Sequence, residues 1–550
     1  MNADYRPDPA ILALGDGAPF YDAVKPAQFP KHILRFRNQR WAERVGLGGL
    51  SDEEWVEHFG RFRPFKDNLP EPLALRYHGH QFRAYNPEIG DGRGFLYAQL
   101  RDGERRLLDL GTKGSGQTPY SRTADGRLTL KGGVREILAT EMLEALGVYT
   151  SKTFSLIETG EALTRHDEPS PTRASVLVRL SHSHVRFGTF QRLAFEGNAQ
   201  AIETLVDYCI RHFDAAADLP PLRSGGGVAR QRDGGGESPG PPPPAQSASP
   251  TAPPQAGEQR RGASRIPGGD QPAIQEPRSP PAPPFQGGEL DRAQGEKTGS
   301  IVRFYARVVA RTARLVGQWM AAGFVHGVLN SDNMTITGES FDYGPWRFAP
   351  AADPSFTAAY FDHSGLYAFG RQAEAAAWNL ARLGGCLTLV ADTAALNAAL
   401  ATFANAYQEG MAEAFFRRLG LKRTGTDDFA LVSALLRWME ATRVPYERPF
   451  FDWFCGRASE RRAAASPVVS LYAAPEFAEA KSQLLAAEPD RPERLAHAYF
   501  AGAPCTMLID EVEAIWAKIA EADDWSALGA KLAEIADLRE ALSIEAVYLP

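Results

Sequence analysis

Hydrophobic and polar positions change their period along the chain, and each change marks an element. Phe95–Leu100 alternates like a strand, Asp102-Gly103 is a hairpin turn signal, and Arg105–Leu110 can return as the partner strand. From Lys131 the period lengthens. Val134, Ile137, Leu138, Met142 and Leu146 share one helical face, and Gly147 supplies the stop. Further strands are predicted at Thr153–Glu158 and Ser175–Leu180. Beyond residue 300 helices dominate. Ile301, Tyr305, Val308, Val309, Leu315, Val316 and Trp319 form a broad stripe, with Thr312 its polar member, ending before Gly323. Two short strands, Met334–Ile336 and Ser340–Phe341, are predicted to hinge at Gly338-Glu339, and alanine-rich helices to fill much of 371–440 and 508–542. No repeat of about 20–50 residues is present.

One tract has neither period. Residues 220–299 hold 17 Pro and 15 Gly, with Phe285 the sole aromatic. Such a stretch buries too little apolar surface to offset the entropy of ordering it, which predicts a disordered insertion. A docking role is the alternative, since Pro241–Pro244 and Pro280–Pro284 suit polyproline II. At about 150 residues per domain, 550 residues suggest three or four domains. The strong motifs nevertheless lie on both sides of the tract, so it is read as interrupting one folded unit, at little cost in loop closure.

Composition removes several classes of function. Lys and Arg number 60 and Asp and Glu 67, a net charge of −7, which gives no general attraction to nucleic acid. There is no apolar run of about 18–20 residues for a membrane span. The start, MNADYRPDPA, has no apolar core for a secretory signal. Cys209, Cys386, Cys455 and Cys505 form no CxxC pair and read as free thiols of a cytoplasmic protein, with neither a disulfide framework nor a zinc site.

Candidate chemistry gathers in a few segments. Gly90-Asp91-Gly92-Arg93-Gly94, Lys113-Gly114-Ser115-Gly116 and Asp125-Gly126-Arg127 lie within about forty residues, interleaving glycine with Arg93, Lys113 and Arg127. Glycine allows close backbone approach and exposed N–H groups, and a lysine adds a mobile cation, so together they suggest a phosphate site. His326 to Asn333, followed by Asp342-Tyr343-Gly344, keeps the spacing of the protein-kinase H-R-D-L-x-x-x-N and D-F-G motifs. Asn333 and Asp342 could share a hard divalent cation. The kinase catalytic Asp is replaced by Val328, which cannot accept a proton; the nearest carboxylate is Asp332. Glu136, on the helix after Lys113, suits the partner of that lysine. Arg179 and Arg186 suit phosphate oxygens. His182 and His184 lack a third nearby His or Cys ligand and read as structural hydrogen-bonding groups.

With these segments in view, the chain resembles the selenoprotein O (SelO, also called YdiU) family of kinase-fold protein AMPylators. The resemblance rests on HGHQFRAYNPEIGDGRG (78–94), LGTKGSGQTPYSRTADGRLTL (110–130), VREILATEMLEALGV (134–148), VRLSHSHVRFGTF (178–190), HGVLNSDNMTITGESFDYGP (326–345) and GLYAFGRQAEAAAWNLARLGG (365–385). It implies an α+β, two-lobed protein-kinase-like (pseudokinase) fold that holds ATP in a flipped orientation, with a disordered insertion and extra C-terminal helices. The expected organisation is an N-terminal extension and nucleotide-binding lobe over 1–190, a mainly helical lobe over 191–219 and 300–455, the insertion, and a C-terminal helical region over 456–550. The implied activity is transfer of AMP from ATP to Ser, Thr or Tyr hydroxyls of proteins, with release of pyrophosphate. UMP transfer from UTP is open as well.

Carried over by position, the nucleotide contacts fall on Gly90, Gly92, Arg93, Lys113, Asp125, Gly126, Arg179, Arg186 and Asp342. The proton acceptor falls on Asp332, the Mg²⁺ (or Mn²⁺) ligands on Asn333 and Asp342, and a supporting role on Glu136. Implied partners are ATP and hydroxyl-bearing proteins, with no nucleic acid, no membrane and an open oligomeric state. The chain lacks a Cys or selenocysteine pair near its end, AVYLP, so redox regulation is not implied, and the match over 386–550, including Pro445–Gly456, is looser. A conventional γ-phosphotransferase and a non-catalytic nucleotide-binding scaffold stand as alternatives.

Overall fold

The computed structural model of the protein describes residues 4–15, 17–166, 168–214, 292–425 and 428–542. Most of the expected insertion, with both proline runs, lies outside them. Its end is different. The long helix Arg292–Ala322 starts inside the tract, so 292–299 are helical and the low-complexity composition overran the element boundary. The described residues before and after the tract belong to one compact unit.

Alternation along the N-terminal half becomes one antiparallel sheet. Its order is Tyr21–Ala23, Leu73–Leu75, Leu96–Arg101, Leu107–Lys113, Thr172–Ser181, Lys152–Leu163 and Ile33–Arg37, with Leu128–Thr129 also paired to Thr172–Ser181. Antiparallel sheet combined with many helices makes an α+β arrangement. The returning strand begins later than its pattern suggests because Arg105 sits in the turn at φ +65°, and it runs on to Lys113. That extension matters, since Lys113 then faces Leu177 on the neighbouring strand.

The helix Leu130–Ala145 starts where the Thr129 side chain accepts a hydrogen bond from the Gly132 N–H at 3.1 Å, an N-cap worth about 1 kcal/mol. It ends at Gly147, whose φ of +80° lets the chain leave in a left-handed turn. Almost every residue of this helix is buried, Glu136, Glu141 and Glu144 included. Buried carboxylates need cations. Arg40 and Lys152 serve Glu144, Arg539 serves Glu141 at 2.5 Å, and Lys113 serves Glu136. The C-terminal helices Ile509–Ala522 and Ser526–Leu542 share the core of this helix, with Lys131 pairing to Glu513 at 2.7 Å. On the other side of the sheet an aromatic core gathers Trp41, Trp55, Phe59, Phe65, Tyr97 and Phe154.

The short hairpin expected over 334–341 is not formed. Each half pairs elsewhere: Thr335 bridges to Arg186, and Ser340 bridges in parallel to Thr150. The Ile336 N–H donates to the Val185 carbonyl at 3.2 Å, and the Ser151 N–H to that of Ser340 at 3.0 Å. The turn at Gly338 is real, but its arms are consumed by the segments that carry Arg186 and the sheet. This ties Asp342 to the sheet.

Candidate active site

Lys113 ends its strand at the wall of a cavity of about 360 Å³. Only 4% of its side chain is exposed. Its ammonium pairs with Glu136 on the following helix and lies 2.9 Å from Asp342 Oδ1. Strand, helix and loop therefore meet at one buried cation.

Two arginines converge on the same carboxylate. Arg179 comes from the strand beside that of Lys113, and Arg186 from the N-cap of the helix Phe187–Phe195. Arg179 Nη1 is 3.5 Å from Asp342 Oδ1, and Arg186 Nη1 is 3.5 Å from Oδ2. Their guanidinium carbons lie over the Phe341 ring, 4.1 and 4.6 Å from its centroid, and that of Arg186 also lies 4.5 Å from the centroid of Tyr77. Such stacking holds a planar cation while leaving edge N–H groups for a ligand. Arg186 also donates to the Asp332 carbonyl at 2.8 Å and faces Asp91 at 3.4 Å. The Nε atoms of Arg179 and Arg186 are buried without a hydrogen-bond partner among the described residues.

The two carboxylates most relevant to chemistry differ. Burial alone would raise the Asp342 carboxyl, but Lys113, Arg179, Arg186 and Arg93 outweigh it and hold it well below the usual carboxylate range. Asp342 also has a φ of +62°, a conformation kept by its surroundings. Asp332 lies in the 3₁₀ turn Ser331–Asn333, and burial pushes its carboxyl up to about 6 although Arg186 opposes this. Asp332 Oδ1 is buried with no hydrogen-bond partner among the described residues. The turn itself is pinned. The His80 N–H donates to Ser331 Oγ at 2.7 Å, and Ser331 Oγ donates to Gln191 Oε1 at 2.7 Å.

Gly90, Gly92, Arg93, Lys113, Arg179, Arg186, Asp332 and Asp342 all line the cavity. Glu136 stands behind Lys113. Asn333 does not line it; its Nδ2 donates to the Val328 carbonyl at 3.0 Å. Nor do Asp125 and Gly126. Asp125 is ion-paired with Arg165 at 2.8 Å, and Gly126 accepts a hydrogen bond from the Gly116 N–H at 3.1 Å, so this turn braces the loop around Lys113.

The glycine segments also work differently from a simple amide cradle. The N–H groups of Gly114 and Ser115 donate to the Arg93 carbonyl, at 2.7 and 3.3 Å, which ties the two loops together. Gly90 and Gly94 serve close packing. A Cβ at Gly90 would lie 2.5 Å from the Tyr120 ring, and one at Gly94 would lie 2.1 Å from the Thr112 carbonyl oxygen. Cation for the cavity comes from side chains. Arg93, Lys113, Arg122, Arg179 and Arg186 line it against Asp91, Asp332 and Asp342.

Tyr77, Asp91, Tyr120 and Arg122 on this wall were not singled out from sequence. Asp91 sits inside a recognised glycine segment, and a charge there among small residues was a usable signal. His182 and His184 are core groups: His182 Nδ1 is 2.6 Å from the Tyr149 hydroxyl, and the His184 N–H donates to Asp109 at 2.8 Å. All four cysteines are buried and free. No helix among the described residues is long and apolar enough to cross a membrane.

Donors for a hard cation are present on chemical grounds. Asp342 is kept ionised at the cavity, and the Asn333 amide nitrogen is committed to Val328, which leaves its carbonyl oxygen as the acceptor. No group of three or more His, Cys, Asp and Glu residues that could hold a metal occurs among the described residues.

A cationic cavity with an ionised carboxylate and a second one whose affinity for protons is raised by burial is suited to transfer of a nucleotidyl group. The chain belongs to the family described as Protein adenylyltransferase SelO, whose model matches residues 2–536. Among its relatives are proteins named Protein nucleotidyltransferase YdiU. That of Trichodesmium erythraeum is 39% identical over 542 residues, covering 96% of this chain and 98% of its own. That of Gloeobacter violaceus is 40% identical over 542 residues, covering 96% and 93%. That of Synechocystis is 43% identical over 429 residues, covering 77% and 72%.

Proposed function

We propose that this cavity seats the triphosphate of ATP and transfers AMP to Ser, Thr or Tyr hydroxyls of protein acceptors, in a cytoplasmic protein with a kinase-like arrangement. The observation that carries the reading is the convergence of Lys113, Arg179 and Arg186 on Asp342, in the same cavity as Asp332 Oδ1, which has no hydrogen-bond partner among the described residues. Lys113 and the arginines hold phosphate oxygens that carry charge into the transition state. Glu136 keeps the Lys113 ammonium in place. The acceptor hydroxyl oxygen forms a bond to the α-phosphorus, the bond from that phosphorus to the β-phosphate bridging oxygen breaks, and pyrophosphate leaves. Asp332 accepts the hydroxyl proton, a role suited to a carboxylate whose affinity for protons has been raised. Asn333 and Asp342 would hold Mg²⁺ or Mn²⁺, which supplies charge neutralisation to the phosphates. Val328, at the position of the kinase base, has no part in this chemistry.

Incubation with α-labelled and γ-labelled ATP tests the reading. Protein-bound label from the α position only is the expected result. Label from the γ position only would replace AMP transfer with phosphoryl transfer. ATP binding with no label transferred from either position would leave a nucleotide-binding scaffold. The same assay with α-labelled UTP reads the preference for the base.

A further inference from the structure

The hairpin Gly79–Gln81/Ala84–Asn86 runs along the edge of the cavity, and Gln81 lines it beside Asp332. Its two-residue tip is Phe82-Arg83, with φ of +49° and +65°. A tip with both residues in the left-handed region favours Asn-Gly, and a bulky aromatic there is an outlier. Strain of this kind persists where the surrounding structure holds it, and it clusters at functional sites.

The strained tip carries an exposed aromatic ring beside the cavity. Phe82 is 39% exposed, Phe361 40% and Tyr360 75%, among the few large apolar side chains exposed in the described residues. The three form a continuous row, with Phe82 5.9 Å from Phe361 and Phe361 5.1 Å from Tyr360, centroid to centroid. The row is fixed to the loop that carries Asp332. The Phe82 N–H donates to Asn330 Oδ1 at 3.1 Å, and the Tyr367 hydroxyl, whose ring lies 5.1 Å from Phe82, donates to the same oxygen at 2.9 Å. Beyond Phe82 the charge is mostly positive. Arg83 and Arg371 share the single carboxylate of Glu374, and Arg83 and Arg382 both lie over Trp378.

We infer that this row is the docking rim for the acceptor protein, and that it takes an extended hydroxyl-bearing segment with an aromatic side chain near the hydroxyl and acidic residues beyond it. The inference rests on the AMP-transfer reading and names its substrate class. Continuity favours this occupant, since an acceptor hydroxyl within reach of Asp332 must lay its flanking residues across the adjacent edge. A second copy of the chain fits less well. Three partly exposed rings, each about 150–250 Å² when fully buried, fall short of the roughly 1,200–2,000 Å² of a stable interface.

The test uses the full chain, α-labelled ATP and two acidic serine peptides that differ only in carrying Phe or Gly two residues from the serine. Wild type should modify the Phe peptide with at least a tenfold higher kcat/KM. Phe361→Ser with Tyr360→Ser should remove that preference while ATP binding, read by calorimetry, stays unchanged. Phe82→Asn should do the same with no loss of stability, because asparagine suits the left-handed tip, and this separates docking from misfolding. Equal use of both peptides by wild type, or a preference that survives in the variants, would overturn the rim. So would sedimentation in which these changes dissociate a dimer and leave the peptide preference intact. Failure of wild type to label either peptide while it labels protein acceptors from α-labelled ATP would overturn the rim alone, whereas failure to label peptides and proteins alike while ATP binds would sink the AMP-transfer reading with it.

Discussion

Lys113 Nζ lies 2.9 Å from Asp342 Oδ1 while the same ammonium is paired with Glu136. One buried cation thus joins the sheet, the helix Leu130–Ala145 and the loop after Phe341. Replacing it removes a phosphate contact and also strands a buried carboxylate. Lys113→Met should lower AMP transfer by about two to three orders of magnitude, the scale for losing one preorganised charge donor. It should also cost about 3–5 kcal/mol of stability, because Glu136 is left unpaired. Lys113→Met with Glu136→Met should recover most of that stability and none of the activity. Denaturant unfolding and label transfer, measured on both variants, separate the two roles.

Asp332 gives the protein a pH signature. A base must be ionised to accept a proton, and burial raises this carboxyl to about 6. The rate should therefore climb with pH up to about 6 and level off above it, falling to roughly a tenth of the plateau one pH unit below. Asp342, held well below the usual range, adds no limb in that window. Asp332→Asn should abolish the limb with a loss of about 10²–10⁴-fold in rate while ATP still binds. A limb near pH 6 that persisted in Asp332→Asn would assign it to another group.

The legible parts of this molecule were those that repeat locally. The helix Leu130–Ala145 and the strands on either side of it were readable because their apolar positions recur every few residues, and Thr129 and Gly147 punctuate them. Lys113, Glu136, Arg179, Arg186, Asp332 and Asp342 were legible through fixed spacings within motifs. Partnerships across long stretches of chain were not. Asp91 meets Arg186 across 95 residues, and no local pattern encodes that pairing. The 334–341 segment failed for the same reason: it keeps only turn hydrogen bonds around Gly338, such as Gly338 N–H to the Thr335 carbonyl, while its arms bond to Tyr149, Ser151, Val185 and Phe187 instead of pairing with each other. Glycine in the 90–94 segment signalled a constraint correctly, but close packing against Tyr120 and Thr112 looks in sequence like a phosphate loop.

Gly94 offers a test of that packing. An added Cβ would lie 2.1 Å from the Thr112 carbonyl oxygen, a backbone atom that cannot rotate away. Gly94→Ala should destabilise by about 1–3 kcal/mol, the range for overpacking. Thr112 precedes Lys113, so the strand end must shift with it, and the KM for ATP should rise. Gly103→Ala, where nothing lies within 4 Å of the new Cβ, serves as the control and should leave KM unchanged.

Phe341 should prove to be a positioning residue for both arginines. Its ring carries the Arg179 and Arg186 guanidiniums at 4.1 and 4.6 Å, and each stacked contact is worth about 0.5–2 kcal/mol. Phe341→Leu keeps an apolar side chain of similar size but removes the face. Both cations would then sample wider orientations, and part of the energy of phosphate binding would go to reordering them. ATP affinity should fall by roughly five- to thirtyfold, the equivalent of about 1–2 kcal/mol, with a much smaller effect on kcat once the nucleotide is saturating. Tyr77→Leu, which removes only the second ring over Arg186, should produce a smaller loss of the same kind. Calorimetric titration with ATP, beside steady-state label transfer, distinguishes this from a direct role in the chemistry: a fall in kcat at saturating ATP as large as the fall in affinity would mean that Phe341 does more than hold the arginines.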